Sequence, residues 1–484
     1  MNRITPILLW AGGMVLSLIF FEDQLLPFIG CTFLLAARSI QLLHVEKAFL
    51  LVLFALLPFS LEYEILPGTN LNIPSEGIVF LLFFVTLFKL LPYLQIKYLL
   101  VKKQWIFWSA FFFLLSLFWG FLFSTMPLVS LKFLAINTLF VFVGLVLPYL
   151  CLIEKKVRVS ELMLASLLGL VLVCLYAATN LMEYGVGRNV AATLSRPFFN
   201  DHTHFAATLL LVLPLALAVR SSVSNPVGRT FLLGTAVLFG LYVIISFSRA
   251  AWLSALVMLG VYGLYYFKIK ARYLILLTAG GLLLLVLNAG SLQNMFRINK
   301  NDSNERGSSV GKQLKSVTNT TSDVSNIERL NRWKCALRMG AKEPLHGFGP
   351  GTYQFQYLPF QQKSDLSRIS VNSPFYVKEG WGGTAHSEYL LSFSESGYSG
   401  LVSWFFLIIA VLTTGHSTLK KSQDKNDRFL SLMILLGLIG YFIHALFNNF
   451  LNSASLALFF WLMIGILAYT NNKNLLHADP ESQK

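Results

Sequence analysis

Long apolar runs, separated by short polar or charged connections, follow one another along this chain of 484 residues. One helix needs roughly 20 apolar residues to cross a bilayer core about 30 Å thick. Inside that core, only helices and closed barrels satisfy the backbone hydrogen bonds. Runs of sufficient or nearly sufficient length lie at 6–21, 24–37, 48–64, 77–95, 105–125, 129–152, 160–180, 204–219, 230–247, 250–267, 273–289, 398–416, 429–447 and 453–470. The sequence therefore predicts an all-α, polytopic transmembrane helix bundle of 12–14 spans.

The composition agrees with a membrane location. Hydrophobic residues make up 55% of the chain and charged residues 13%, whereas soluble domains contain about 25% charged residues. The first two runs are short, so they form either tilted spans or a re-entrant pair. Because the first run has no clear small-residue cleavage site, we expect a retained span rather than a signal peptide.

The distribution of Lys and Arg predicts the orientation, because cytoplasmic connections carry an excess of both. With the N-terminus inside, the outward connections hold few lysines and include the acidic residues Glu22, Asp23, Glu62 and Glu64. The inward connections hold Arg38 and Lys47; Lys97, Lys102 and Lys103; Lys155, Lys156 and Arg158; Arg220 and Arg229; Lys268, Lys270 and Arg272; and Lys420, Lys421, Lys425 and Arg428. Both termini are therefore predicted to lie inside. The net charge of +15 is spread over these connections, which indicates contact with membrane lipids and not with nucleic acid.

One connection is much longer than the others and, in this orientation, lies outside. It divides the chain into four predicted parts. These are the N-terminal spans at 1–180, the central spans at 181–289, the extracytoplasmic loop at 290–397, and the C-terminal spans and tail at 398–484.

The long loop contains two predicted helices. The segment Ser325–Glu328 has the spacing of a capping box. Apolar residues follow it at helical spacing, which predicts an amphipathic helix that ends near Ala341. A second helix is predicted to begin near His386 and to end at Gly397, directly before the next span.

Three arginines on the outer side are candidates for binding an anion. Arg249 lies between two apolar runs, where the other short outward connections avoid positive charge. It either anchors a helix end at the membrane surface or faces the bundle as an anion site. Arg329 and Arg332 are three residues apart on the amphipathic loop helix, so their side chains lie on one side of it. They form either a solvated helix face or a fork for phosphate oxygens, which suit the geometry of guanidinium groups.

A histidine is the candidate for proton transfer. His386 stands at the predicted start of a helix, where the helix dipole disfavours imidazolium, and a neutral imidazole accepts a proton at about pH 7. The alternative for a lone histidine is a structural role. His202 and His204, in the polar segment that begins at Asn200 and Asp201, look like metal ligands, but a polar entry to a span accommodates them without a metal.

Other patterns give no support to nucleotide or metal chemistry. The glycines of Gly347–Gly351 follow no predicted strand, so we interpret this segment as a turn. The chain contains no Asp-x-Asp sequence, and its four cysteines form no Cys-x-x-Cys pair. Neither a metal–nucleotide-sugar site nor a zinc site or disulfide framework is predicted.

Taken together, the motif segments resemble the O-antigen ligase and polymerase superfamily of bacterial membrane glycosyltransferases. The ordered set carries the resemblance, which covers about 195–400. The segments are Phe198-Phe-Asn-Asp-His-Thr-His-Phe205, Ser246-Phe-Ser-Arg-Ala-Ala-Trp252, Arg329-Leu-Asn-Arg-Trp333, Pro344-Leu-His-Gly-Phe-Gly-Pro-Gly-Thr352, Ala385-His-Ser-Glu-Tyr-Leu390 and Glu395-Ser-Gly397.

The resemblance implies a GT-C-like bundle in the bacterial inner membrane, with the loop capping an active site on the periplasmic face. The donor would be a glycan on undecaprenyl diphosphate, and the acceptor a hydroxyl of lipid A–core or of a second glycan. No metal, nucleotide or other cofactor is implied. Arg249, Arg329 and Arg332 would bind the leaving diphosphate, and His386 would deprotonate the acceptor hydroxyl. The supporting residues would be Glu388, Asn200, Asp201 and His202.

Two other functions stay open at the level of sequence. A ligase and a polymerase share the donor, the loop and the arginines, and the loop motifs favour the ligase. A lipid-linked glycan flippase or other transporter is the alternative of a different class. Transporters commonly carry internal repeats and charges inside their spans, whereas this sequence shows no repeat and its candidate charges gather at the outer surface.

Overall fold

The computed structural model describes residues 38, 40, 45–66, 69–90, 104–269, 324–367, 369–378, 380 and 382–478. Within these residues, eight helices are long and apolar enough to cross a membrane. They are Trp105–Leu122, Pro127–Ile153, Val159–Tyr184, His202–Ser222, Pro226–Ile245, Glu388–Lys421, Lys425–His444 and Ala454–Asn474. The predicted all-α polytopic bundle is confirmed. The predicted spans at 6–21, 24–37 and 273–289 lie outside the described residues.

The remaining described helices are shorter or less apolar. Arg249–Tyr266 has 18 residues and takes the place of the predicted span at 250–267. Ser75–Leu90 has 16 residues and begins where the run at 77–95 was predicted. Other short helices are Arg188–Ala191, Tyr353–Gln356, Pro374–Lys378 and the 3-10 turn Leu358–Phe360. The membrane helix Pro127–Ile153 includes a π-helical segment at Val141–Val146.

The predicted span at 48–64 extends too far. The helix Glu46–Leu56 ends in a 3-10 turn at Leu57–Phe59, where a proline occupies the second position. The strands Leu61–Leu66 and Thr69–Ile73 follow and form an antiparallel hairpin. Polar and apolar residues alternate along the first strand, and this period of two suits a strand rather than a helix. The length of the hydrophobic run concealed this change of period.

Hydrogen bonds gather the predicted outward connections at one end of the bundle, here called the loop face. These bonds join Thr125 to Phe348 at 3.2 Å, Arg249 to Asn326 at 3.1 Å, and Thr384 to Asn449 at 2.7 Å. The opposite end carries ion pairs at or beside the predicted inward connections, namely Lys89–Glu154 at 2.6 Å, Lys156–Glu46 at 2.5 Å and Lys473–Asp427 at 2.8 Å. The connections predicted to lie outside are therefore at one end of the bundle, and those predicted to lie inside are at the other.

The loop is built around one helix, Val324–Lys342, here called the loop helix. Its bounds agree with the predicted amphipathic helix, but the helix begins one residue before Ser325, and the Glu328 carboxylate accepts a 2.7 Å hydrogen bond from Arg332. The side chain of Ser325 lies outside what the structure describes, so the predicted capping box stays a prediction. Buried side chains of the loop helix and the following turns form a small core of Cys335, Ala336, Met339, Phe348, Tyr353, Tyr357, Val377, Ala385 and Leu391.

A kink at Gly397 joins the loop to the membrane. Glu388–Lys421, here called the kinked helix, is helical on both sides of Gly397, whose φ of 64° lies in the left-handed region. The predicted end of a helix at Gly397 is thus confirmed, and the next helix starts immediately. A Cβ at this position would overlap the Pro344 carbonyl oxygen, so the kink requires glycine.

Candidate functional site

Two stripes of the loop helix face different surroundings. Glu328, Arg332 and Cys335, spaced by four and three residues, are buried among the turns of the loop. Asn326, Arg329 and Trp333 form a second stripe, of which Asn326 and Trp333 reach residues outside the loop helix. The first stripe holds the loop together, and the second faces the bundle.

Arg332 belongs to the buried stripe and is only 4% exposed. Its Nε donates a 2.7 Å hydrogen bond to Glu328, one of its terminal nitrogens donates to the carbonyl of Gly382, and its guanidinium lies 4.2 Å from the centre of the Tyr357 ring. These contacts fix the segment that leads to His386. Arg332 therefore does not lie on a solvated helix face, the first of the two predicted alternatives, because Glu328, one turn away, holds it in the loop core.

Arg249 is connected directly to the loop helix. It is the first residue of the helix Arg249–Tyr266, whose N-cap is Ser248, and it is half-buried. Its guanidinium donates a 3.1 Å hydrogen bond to the side-chain oxygen of Asn326. Arg329 follows Asn326 by one turn of the same helix, so Arg249 and Arg329 lie on the same side of it. The structure thus brings together two arginines that are 80 residues apart in the chain (329 − 249).

His386 lies before the kinked helix and not in its first turn as predicted. The helix begins at Glu388 with Ser387 as its N-cap. The backbone of His386 has a φ of 53°, and its carbonyl accepts a 3.2 Å hydrogen bond from the indole of Trp333. A left-handed conformation costs a non-glycine residue about 1 kcal/mol or more, and such residues cluster at functional sites.

The His386 imidazole is neutral at pH 7, as expected, but for a different reason. Burial lowers the pKa of His386 to about 4, and the positive charges of Arg329 and Arg332 act in the same direction, while Asp201 opposes them. The helix dipole is not the main cause. His386 therefore stands beside cationic side chains in the form that accepts a proton.

Two buried glutamates hold the surrounding turns in place. Glu388 accepts hydrogen bonds of 2.9 Å from the Tyr441 hydroxyl and from the backbone N–H of Leu451. Glu395 accepts bonds of 2.8 and 2.9 Å from the backbone N–H groups of Gly351 and Tyr353. The first carboxylate fixes the connection between the last two membrane helices, and the second fixes the glycine-rich turn after the loop helix.

The segment that contains Asn200, Asp201 and His202 caps a membrane helix. The carboxylate of Asp201 accepts bonds of 2.8 and 2.7 Å from the backbone N–H and the hydroxyl of Thr203, and it lies 3.3 Å from the His202 imidazole. His204 is 3.2 Å from the Ser455 hydroxyl and stacks on Phe450, with ring centres 4.9 Å apart. In the part of the chain that the structure describes, no three His, Cys, Asp or Glu side chains lie together as a metal site needs.

Three residues at the site carry no motif and were not predicted. His444, Asn448 and Asn449 lie in or beside the connection between the last two membrane helices and are buried. Both ring nitrogens of His444 and the amide nitrogens of Asn448 and Asn449 have no hydrogen-bond partner among the described residues. A polar Asn-Asn pair between two apolar runs is the only signal of them in the sequence.

These residues adjoin His386. The Thr384 hydroxyl donates a 2.7 Å hydrogen bond to the side-chain oxygen of Asn449, and the N–H of Glu388 donates to the carbonyl of Ala445 at 2.9 Å. Arg329 interacts electrostatically with both His386 and His444. We call Arg249, Asn326, Arg329, His386 and His444 the arginine–histidine cluster. In this cluster the guanidinium groups of Arg249 and Arg329, which suit binding of an anion, lie near the neutral His386 imidazole, which can accept a proton.

Comparison with known proteins gives a match over the middle of the chain. The family model described as O-antigen ligase matches residues 234–405. The matched region contains Arg249, the loop helix and His386, whereas Asp201 and His444 lie outside it. No curated protein matches the chain.

The match favours an enzyme over a flippase or transporter. Together with the eight apolar helices, it indicates a multi-pass membrane protein with glycosyltransferase chemistry of the ligase or polymerase type. Residues 234–405 of this chain match the O-antigen ligase family, and this match supports the resemblance to the O-antigen ligase superfamily.

Proposed function

We propose that this protein transfers a glycan from undecaprenyl diphosphate to an acceptor hydroxyl on the periplasmic side of the inner membrane. The observation that carries the proposal is the arginine–histidine cluster, in which Arg249 and Arg329 lie on one side of the loop helix beside a neutral His386. The reaction needs both features. A diphosphate leaving group requires fixed positive charge, and a sugar hydroxyl requires a base.

Arg249 and Arg329 bind the diphosphate in this proposal. As the bond between the anomeric carbon and the diphosphate oxygen breaks, its electron pair passes to the diphosphate, and the negative charge there increases. Guanidinium groups already held in place stabilise that charge without reorganising. Arg332 does not contact the diphosphate in this proposal. Its bonds to Glu328 and Gly382 hold the loop in the conformation that positions Arg329 and His386.

His386 is the general base. The acceptor oxygen gives its proton to an imidazole nitrogen and forms the new bond to the anomeric carbon, so the transfer is a single displacement. The negative charge of Asp201 raises the pKa of His386, whereas the arginines lower it. Asp201 therefore stabilises the imidazolium as it forms. Neither a metal ion nor a nucleotide is needed in this scheme.

Within the superfamily we propose the ligase reaction, with lipid A–core as the acceptor, and a polymerase that extends a second lipid-linked glycan as the alternative. The loop motifs favour the ligase. The two reactions differ in product. A strain without a ligase retains the glycan on its lipid carrier, whereas a strain without a polymerase still transfers single repeat units to lipid A–core.

The direct test uses purified protein in lipid nanodiscs, with the lipid-linked glycan as donor and lipid A–core as acceptor. His386→Ala is expected to bind the donor but to lose at least a hundredfold in turnover, because a positioned base contributes about 10²–10⁴-fold.

His346→Ala is the matched control in the same loop. The His346 imidazole bonds to the Gly347 carbonyl at 2.8 Å and stacks on Phe123 with ring centres 4.8 Å apart, so neither contact involves the arginine–histidine cluster. If His386→Ala keeps more than about a tenth of the wild-type turnover, the base is another residue. Absence of any glycan transfer by the wild-type protein to either acceptor contradicts the proposed function itself.

A further inference from the structure

A cavity of about 100 Å³ opens on the loop face, next to the segment around Asp201. Three parts of the chain line it: the entrance and second strand of the hairpin, the turn before the helix His202–Ser222, and the start of the last membrane helix. The polar lining residues are Ser60, Asn72, Asn200, His204, Ser453 and Ser455. We call this cavity the hairpin pocket.

The lining of the hairpin pocket is polar and uncharged. Its side chains present hydroxyl, amide and imidazole groups, and no Lys, Arg, Asp or Glu is among the described residues that line it. The Ser60 hydroxyl oxygen is buried and has no hydrogen-bond partner among the described residues. Burying a hydroxyl without a partner costs about 1–3 kcal/mol, which a ligand that bonds to it offsets.

The polar, uncharged lining favours one class of ligand over two others. An anion such as the diphosphate would find no cation in the pocket, whereas Arg249 and Arg329 lie in the arginine–histidine cluster. An alkyl chain would leave the buried Ser60 hydroxyl without a partner. A neutral, hydroxyl-bearing ligand both donates and accepts hydrogen bonds, and the rings of Phe198 and Phe199 in the lining offer apolar faces to its C–H groups.

The pocket lies beside the site of transfer. Asn200 lines it, and the next residue, Asp201, acts electrostatically on His386. His204, another lining residue, stacks on Phe450, whose ring centre is 5.8 Å from that of His444. A cavity of about 100 Å³ is smaller than the roughly 300–1,000 Å³ of pockets that enclose drug-sized ligands, so it accommodates one sugar ring and not a longer chain.

We propose that the hairpin pocket is a carbohydrate subsite that holds one uncharged sugar residue of a glycan substrate through its hydroxyl groups. The inference rests on the proposed function, because it places a sugar next to the arginine–histidine cluster. The sugar belongs either to the donor glycan or to the acceptor. In both cases the pocket orients that glycan relative to His386.

The test variant is Ser60→Leu, which fills the pocket from the hairpin and removes no hydrogen bond between described residues. It is expected to raise KM for one glycan substrate by tenfold or more. The substrate whose KM rises identifies the source of the sugar. Inhibition by undecaprenyl diphosphate without a sugar is expected to stay unchanged, because that ligand uses the arginines. Ser60→Ala, which removes only the hydroxyl, is expected to cause a smaller rise.

Ser224→Leu is the control for adding a leucine, since Ser224 is exposed near the opposite end of the bundle. Binding is also measured without turnover, by saturation-transfer NMR with the water-soluble glycan released from the lipid-linked donor and with lipid A–core oligosaccharide. Loss of this binding in Ser60→Leu but not in His386→Ala supports the subsite. Unchanged KM values and unchanged glycan binding in a folded Ser60→Leu protein overturn it, and they leave the proposed function standing if His386→Ala is inactive.

Discussion

The pH dependence of transfer is the most direct measure of the environment of His386. The pKa of this imidazole is lowered from 6.5 to about 4 by burial and by Arg329 and Arg332. A general base must be unprotonated, so the activity is lost as the pH falls through the pKa in the folded protein. The inflection of kcat/KM, which reports the free enzyme, is therefore expected near pH 4 and not near pH 6.5.

The size of the effect follows from the titration equilibrium. At about pH 5.5, a base with a pKa of about 4 is about 97% unprotonated, whereas one with a pKa of 6.5 is about 9% unprotonated. The two cases differ about tenfold in rate at that pH. Bound diphosphate offsets the positive charge of Arg329, which raises the pKa of His386, so the inflection of kcat is expected at a higher pH than that of kcat/KM.

The variant Arg329→Gln tests whether the charge of Arg329 contributes to the lowered pKa of His386. Removing this positive charge raises the pKa of His386, so the inflection of kcat/KM is expected to move towards higher pH, in addition to any loss of donor binding. Initial rates are measured between about pH 3 and 8 in nanodiscs, so that the range contains the expected inflection, and binding of the donor is followed separately. Arg338→Gln is the control, because Arg338 pairs with Asp365 at 2.7 Å and bonds to the Phe360 carbonyl, away from His386. An inflection near 6.5 that is the same in the wild type and in Arg329→Gln refutes this account of His386.

Three further predictions concern other parts of the molecule. Arg249→Lys is expected to lower kcat by about a hundredfold with normal protein levels, because an ammonium does not reproduce the contacts of a guanidinium with phosphate oxygens. Arg332→Met is expected to lower the free energy of unfolding by roughly 3 kcal/mol, measured by thermal unfolding in detergent, because it leaves the buried Glu328 carboxylate without its cation. A cysteine introduced at Ser308, in a protein without the four native cysteines, is expected to react with an impermeant reagent in intact spheroplasts.

Each of these predictions has its own control. Full activity of both Arg249→Lys and Arg249→Ala would leave Arg249 as a helix anchor. The double variant of Arg332→Met with Glu328→Gln is expected to recover part of the lost stability, and equal stabilities of Arg332→Met and the wild type contradict the assigned role of the pair. A cysteine at Ser224 should react only after lysis, and the reverse pattern of labelling would invert the predicted orientation.

Much of the architecture follows from the sequence because its signals are local. Runs of about 20 apolar residues predicted the membrane helices, and the spacing of Leu330, Trp333 and Leu337 predicted the loop helix. Bilayer thickness and helical periodicity both constrain residues that are contiguous in the chain. Their effects on the residue pattern are therefore visible in a single sequence. The hairpin at Leu61–Ile73 was missed because hydrophobicity concealed its alternation.

The arrangement of the candidate site was decided by tertiary contacts. The sequence supplied Arg249, Arg329, Arg332 and His386 as candidates, but their spacing did not show that Glu328 draws Arg332 into the loop core. Nor did any motif mark His444, whose ring nitrogens are buried without partners among the described residues. Burial and the electrostatic effect of a distant charge depend on which segments meet. Only the folded chain brings these helix ends to one face, and that is why the environment of His386 could not be predicted from its neighbours in sequence.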